Sequence, residues 1–266
     1  MTNQTPLIEL NQLYKSYGNT LVLEKLNAKV YEGEFVTLVG TSGCGKSTFL
    51  KLLLGTETVS RGDLLLDKVA IANEPGPDRG IVFQKYSVFP HLTVRQNVAL
   101  GREFEQNKLL GRLFGQKRRK VLEEADYWLE TVGLSQAKNR YPHELSGGMQ
   151  QRLAIAQALI KQPRILLLDE PFGALDPGIR KDMHKMVLSL WRKHKLTVFM
   201  VTHDIQEGFY LGTRLWVFDK QRHDPHAPER FGSTITFDIP VGKVDDSSFK
   251  QVNESLKDSR KQLLDS

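Results

Sequence analysis

Residues 40–48 read Gly40-Thr41-Ser42-Gly43-Cys44-Gly45-Lys46-Ser47-Thr48. This is the order G-x-x-x-x-G-K-[ST], a pattern that holds a chain of phosphates. Its glycines let backbone N–H groups turn toward one anion. A helix starting directly after them points its positive end at the same place. Lys46 then supplies a point charge to β- and γ-phosphates, and the Ser47 hydroxyl is a ligand for Mg²⁺. A chance glycine turn could carry the same letters. The strand-like run Glu34–Val39 before the loop and the helix-like run Lys46–Leu54 after it argue against chance, because the motif has meaning only in that setting. Nothing implies a base beside Cys44, which reads as a small loop residue and not a nucleophile.

A second group of chemical side chains lies at Ile165-Leu166-Leu167-Leu168-Asp169-Glu170. An apolar run ending in two acids fits a buried parallel strand whose end carries ligands. Asp169 would hold Mg²⁺, directly or through water, and Glu170 would polarise the water that attacks the γ-phosphate. The same acids could merely open a surface turn ahead of Pro171. Their company with an upstream phosphate loop favours the catalytic reading.

Leu145–Arg152 reads LSGGMQQR. It resembles the signature motif of ABC ATPases, and the resemblance extends from about Ile8 to Phe218. The resemblance implies an ATPase that binds ATP and Mg²⁺, and it assigns further residues. Tyr17 sits where the family stacks an aromatic on adenine. Gln84 matches the Q-loop and would reach both the metal and the attacking water. Ala174-Leu175-Asp176 matches the D-loop, with Asp176 beside the nucleotide. His203 matches the switch histidine at the γ-phosphate. Taken singly, each has a plainer reading: Tyr17 as a half-buried core aromatic, Gln84 as no signal, His203 as structural. Ser146, Gly147 and Gly148 precede a helix whose apolar face runs through Met149, Leu153, Ala156 and Ile160, and a hydroxyl with glycine amides at a helix start makes an anion site. In the family that site closes on ATP held by another subunit. The resemblance therefore implies a second ATPase subunit, a homodimer by expectation, with two ATP sandwiched head to tail.

The same resemblance implies transmembrane permease subunits as partners, an extracytoplasmic substrate-binding protein reached indirectly, and no nucleic acid. It places the chain peripherally on the cytoplasmic face of the inner membrane. One phosphate loop and no spanning segment argue against fused exporters, and the compact plan resembles the nitrate, sulfonate and taurine importer subunits. A group serving urea-type or guanidinium-type solutes is also open, as is a soluble ABC ATPase acting on nucleic acid or cluster assembly. Gln157 stands where many relatives carry arginine, and Thr41 where proline or serine is commoner. Ser87–His91 follows the Q-loop and is expected to meet the permease, though it lacks the tryptophan common in the nitrate group.

The elements that must position these groups follow from patterning. Short apolar runs alternating with helical stretches indicate an α/β, phosphate-loop NTPase core. Residues 62–83 are expected to form hairpins broken by the turn-rich 73–78, and 85–162 a helical subdomain inserted into the core. Strands return at Ile165–Leu168, Leu196–Val201, Leu215–Phe218 and Ser233–Ile239. The ATPase domain is expected over 1–240 and a helical tail over 241–266, with Phe249, Val252, Leu256 and Leu263 on one face. Two stretches have competing readings. Lys108–Lys120, with Leu109, Leu110, Leu113 and Phe114, is either a solvated helix or a lipid-facing one. His223 and His226 lie in a proline-rich loop that is either plain surface or metal-binding.

The chain has 266 residues, 40 % of them hydrophobic, which suits one sizeable core. Its first residues have no basic-then-apolar leader pattern, and no apolar run approaches the ~18 residues that span a bilayer. One cysteine excludes an intrachain disulfide and fits a reducing compartment. The net charge of +6 suits a polyanionic ligand, a membrane surface or nucleic acid alike.

Overall fold

The computed structural model describes residues 5–84, 87–106, 113, 115–222, 224, 226–227 and 229–241. In chain order they form β1 (Ile8–Tyr17), β2 (Thr20–Val30), β3 (Phe35–Gly40), α1 (Lys46–Leu54), β4 (Arg61–Leu66), β5 (Val69–Ala70), β6 (Arg79–Val82), α2 (Val94–Gln106), α3 (Gly115–Thr131), α4 (Gly147–Leu159), β7 (Ile165–Asp169), α5 (Pro177–His194), β8 (Thr197–Val201), α6 (Ile205–Leu211), β9 (Arg214–Asp219) and β10 (Thr234–Pro240). Two compact units emerge, one from the residues before Pro77 and after His194, the other from Pro77–His194. The expected tail residues Phe249, Val252, Leu256 and Leu263, together with Leu109, Leu110, Phe114 and His223, lie outside the described residues.

In the first unit, Gly18-Asn19 joins β1 to β2 as a two-residue turn, and the strands pair antiparallel from Ile8↔Val30 to Tyr17↔Thr20. β4 and β5 extend this sheet in the order β2-β1-β4-β5. Asp67 and Lys68, both at positive φ, make the tight turn between β4 and β5. A second sheet sets β3 between β8 and β9, parallel to both, with β10 antiparallel at the edge of β9. Every residue of β3 and β8 is buried, as expected for parallel strands covered on both faces. α1 packs on this sheet through Phe49, whose ring centroid lies 6.1, 5.9 and 5.7 Å from Phe199, Trp216 and Phe218. Full burial of such an aromatic side chain contributes about 1.5–3 kcal/mol. The helix that follows the glycine loop is thereby fastened to two strands of the core, β8 and β9. Arg214 clips β10 in place, its Nε and Nη2 each donating to Asp238 at 2.6 Å.

In the second unit β6 and β7 are parallel, in register from Arg79↔Ile165 to Val82↔Leu168. This corrects the hairpin expectation for 62–83: β4 and β5 form a hairpin, whereas β6 takes a partner distant in sequence. α2, α3 and α4 supply the helical content expected after residue 85. α2 starts with a reciprocal capping box, Thr93 N–H donating to Gln96 Oε1 at 2.9 Å and Gln96 N–H to Thr93 Oγ1 at 3.3 Å. On α4 the expected apolar face is occupied by Leu153, Ala156 and Ile160, all fully buried, while Ala154, Ile155 and Leu159 are buried too. α4 is thus wrapped on most of its circumference, beyond the single stripe read from the sequence.

Candidate active site

The first unit carries the glycine loop between β3 and α1. Gly45 has φ 87°, and a Cβ there would stand 2.6 Å from Leu23 Cδ2 and 3.0 Å from Val22 Cγ1. Only glycine suits both the left-handed backbone and the floor that β2 provides. α1 begins with no side-chain cap and no acid in its first turn, so its positive end stays available to an anion. Lys46 is 5 % exposed, and its ammonium donates to the carbonyls of Gly40 at 2.9 Å and Thr41 at 2.8 Å. Loop carbonyls thus hold the cation in the loop itself. Cys44 Sγ lies 3.5 Å from that nitrogen, yet burial pushes the thiol pKa up, against the nearby charge. This supports its reading as a loop residue and not a nucleophile.

Tyr17 lies next to this loop. Tyr17 is 43 % exposed. Partial burial and the neighbouring Glu57 raise its pKa, while Thr48 of the loop lowers it. His203 follows β8, which runs parallel to β3, and Thr202 N–H donates to the Leu38 carbonyl at 3.1 Å. The exposed His203 therefore emerges at the same sheet edge as the glycine loop.

The second unit carries the acids. Because β6 and β7 are parallel, Gln84 and the Asp169-Glu170 pair leave the same end of the two strands. Gln84 Nε2 donates to Glu170 Oε2 at 3.0 Å, joining two residues far apart in sequence. Glu170 has φ 49°, a left-handed backbone that a non-glycine residue adopts at a cost of about 1–3 kcal/mol. Strain at such a residue is common where a side chain must be aimed. Asp176 is exposed at the head of α5, where its carbonyl accepts from Arg180 N–H at 2.8 Å.

Ser146 caps α4, its Oγ accepting from Met149 N–H at 3.4 Å. Ser146 and Gly147 are exposed and Gly148 is buried. A Cβ on Gly148 would meet Ile179 Cγ2 at 2.6 Å, so α5 approaches this glycine closely. The signature thus presents a serine and an amide to solvent on a rigid base.

One functional residue had no sequence signal. Asn97, 1 % exposed, donates through Nδ2 to the carbonyls of Phe89, Leu92 and Thr93 at 3.0, 2.9 and 3.1 Å and accepts from Phe89 N–H at 2.8 Å. It fixes residues 89–93. Gln157, the departure from arginine noted above, bonds to Asn97 Oδ1 at 3.3 Å. A cleft of about 310 Å³ adjoins that segment, lined by Phe89, His91, Leu92, Leu100, Glu103 and Phe104 among others.

Residues 23–173 match the family model described as ABC transporter. The chain belongs to the ABC transporter family. It is 39 % identical to the nitrate import ATP-binding protein NrtD of Synechocystis sp., over 88 % of this chain and 82 % of that protein. It is 35 % identical to the aliphatic sulfonates import ATP-binding protein SsuB of Bacillus cereus, over 97 % and 94 %. Among solved structures, cbiO1 from Clostridium perfringens shares the fold with a TM-score of 0.76 at 24 % identity, covering 96 % of this chain and 97 % of that one. The ATP-binding cassette MJ0796, a dimer bound to ADP and Pi, has a TM-score of 0.69 at 29 % identity, covering 88 % and 98 %. The expected fold, an ABC-type α/β ATPase, is the one observed, and the chain is an ATP-binding subunit of this ABC class.

Proposed function

We propose that this ABC protein hydrolyses MgATP and thereby drives an importer of a small solute, with the site residues acting in the following roles. Lys46 and the amides of residues 40–48 hold the β- and γ-phosphates, and Tyr17 stacks on the base. Glu170, aimed by Gln84, takes the proton of the attacking water, a role that contributes about 10²–10⁴ in rate. His203 contacts the γ-phosphate. Ser47, Asp169 and Gln84 fit Mg²⁺: they offer hydroxyl, carboxylate and amide oxygens, the hard donors this ion takes. Gln84 commits its amide nitrogen to Glu170, which leaves its carbonyl oxygen for the metal. Bound Mg²⁺ neutralises charge on the phosphate oxygens. Ser146, Gly147 and Gly148, with Asp176 near them in role, serve the ATP of a second copy of this chain.

The importer reading rests on the relatives: NrtD is named for nitrate and SsuB for aliphatic sulfonates, both small anions. We assign the cleft beside Phe89 to a permease segment, because Asn97 holds Phe89, Leu92 and Thr93 in place at its rim. No helix among the described residues is long and apolar enough to cross a membrane. Attachment to the cytoplasmic face therefore runs through the permease, and a substrate-binding protein outside delivers the solute. The ATPase domain is assigned to 1–240, with 85–162 its helical subdomain and 241–266 an appended tail.

The observation that carries the reading is Lys46, held by loop carbonyls at the head of an uncapped helix. Purified Lys46→Ala protein should lose MgATP binding and turnover together. Undiminished hydrolysis in that variant would remove the phosphate-loop assignment.

A further inference from the structure

Behind the exposed ring of Tyr17 lies a buried charge that the chemistry above does not use. Lys15 and Tyr17 are two residues apart on β1, and strand alternation puts both side chains on one face. Lys15 is 6 % exposed, and its Nζ stands 4.7 Å from the Tyr17 ring centroid. The same nitrogen donates to the Thr58 carbonyl at 2.8 Å and pairs with Glu57 Oε2 at 2.8 Å. Lys15 thus touches both the phenol ring and the carboxylate, and Glu57 raises the pKa of Tyr17. Lys15 and Tyr17 each hold Glu57 below its ordinary carboxylate pKa, the lysine more strongly.

This cluster is tied to the phosphate helix. Glu57 lies just past the last turn, its N–H donating to the Lys51 carbonyl at 3.3 Å. A buried lysine is costly unless paired, and an apolar residue at such a place often does as well for stability. The charge stands instead against the ring of an aromatic residue that is 43 % exposed.

We propose that Lys15 and Glu57 are positioning residues for the nucleotide base: they hold the Tyr17 ring in its stacking orientation before ATP arrives, registered to α1 through Glu57. The proposal rests on the reading of Tyr17 as the base platform. A ring fixed in advance spares the ordering cost that a free side chain meets on binding, a difference of about 2- to 10-fold in affinity.

The test compares two ligands on the full-length protein by equilibrium binding. ATP engages ring and loop, whereas inorganic triphosphate engages the loop alone. Lys15→Met and Glu57→Gln should each weaken ATP binding about 3- to 10-fold while triphosphate affinity stays within about twofold. In a Tyr17→Ala background neither change should weaken ATP binding further. If Lys15→Met does not fold, Glu57→Gln carries the test, since that side chain is 25 % exposed. Equal losses for both ligands, unchanged ATP affinity, or effects that simply add to Tyr17→Ala each overturn the proposal. Should Tyr17→Ala itself bind ATP like the parent, the base-platform reading falls as well. A Tyr17→Ala loss without a Lys15 or Glu57 effect rejects the positioning role alone.

Discussion

Asn97→Ala removes the buried side chain that ties Phe89 and Leu92 to α2. Its four hydrogen bonds to the 89–93 segment are not equal in consequence. The Phe89 carbonyl keeps the Leu92 N–H at 3.2 Å, and the Thr93 carbonyl keeps the helical Asn97 N–H at 2.8 Å. The Phe89 N–H and the Leu92 carbonyl lose the bond that Asn97 makes. A buried group left unpaired costs about 1–3 kcal/mol. Phe89 is 43 % exposed, so water reaches this loop and the lower half of that range applies. The expected loss is about 2–4 kcal/mol in all. At about 2–4 °C per kcal/mol for a chain of this size, the melting midpoint should fall by about 4–16 °C. Urea unfolding should show the same loss with an unchanged slope. Asn97→Asp is the informative companion: it keeps the acceptor for Phe89 N–H but turns a donor into an oxygen facing three carbonyls. It should cost at least as much as alanine. Either variant within about 0.5 kcal/mol of the parent would refute the claim that Asn97 organises this loop.

Phe89→Ala should lower transport in a reconstituted importer more than it lowers ATPase activity of the isolated subunit; equal losses would indicate a folding defect and not a docking contact. Gly45→Ala forces a side chain into a left-handed backbone against Leu23 and Val22. It should cost about 1–2 kcal/mol from the backbone alone and weaken ATP binding, and calorimetry on both quantities checks it. Because burial raises its pKa, Cys44 should react with iodoacetamide far more slowly than free cysteine at neutral pH, and at ordinary rates once urea unfolds the chain. The raised thiol pKa also means that Cys44 costs no stability at neutral pH but costs some as pH climbs past the ordinary thiol value, visible as a falling urea midpoint absent from Cys44→Ser.

What was legible in the sequence was local. The glycine loop, the following helix with its stop at Gly55, and the strand ending in Asp169 each announce themselves within a few residues, and the structure has α1 over Lys46–Leu54 and β7 over Ile165–Asp169. The turn Gly18-Asn19 between β1 and β2 carries an equally local signal, a two-residue turn between strand-like runs. Nothing near Arg79–Val82 reveals that its partner is Ile165–Leu168, since parallel pairing joins segments that propensity treats separately. The same distance hides side chains. Asn97 reads as an ordinary polar helix residue until the chain before α2 folds back over it, and Glu57 has no meaning without Lys15 and Tyr17 beside it. Family order supplied Gln84 and His203, which spacing alone could not have singled out. The bond from Gln84 to Glu170 and the strained backbone of Glu170 are purely tertiary facts.

The central claim is that Glu170 performs the chemistry on ATP bound by Lys46 while Ser146 completes the site of a second copy. Glu170→Gln is nearly isosteric, so it should bind ATP yet lose at least about 10²-fold in turnover. Unhydrolysed ATP should then hold two subunits together, measured as an ATP-dependent dimer by light scattering. Ser146→Arg places bulk at the exposed head of α4 and leaves the phosphate loop untouched, so it should bind ATP as a monomer without hydrolysis. The direct test is the double variant, Glu170→Gln with Ser146→Arg, in saturating ATP. The account predicts a monomer that retains nucleotide; a dimer as complete as that of Glu170→Gln alone would contradict it.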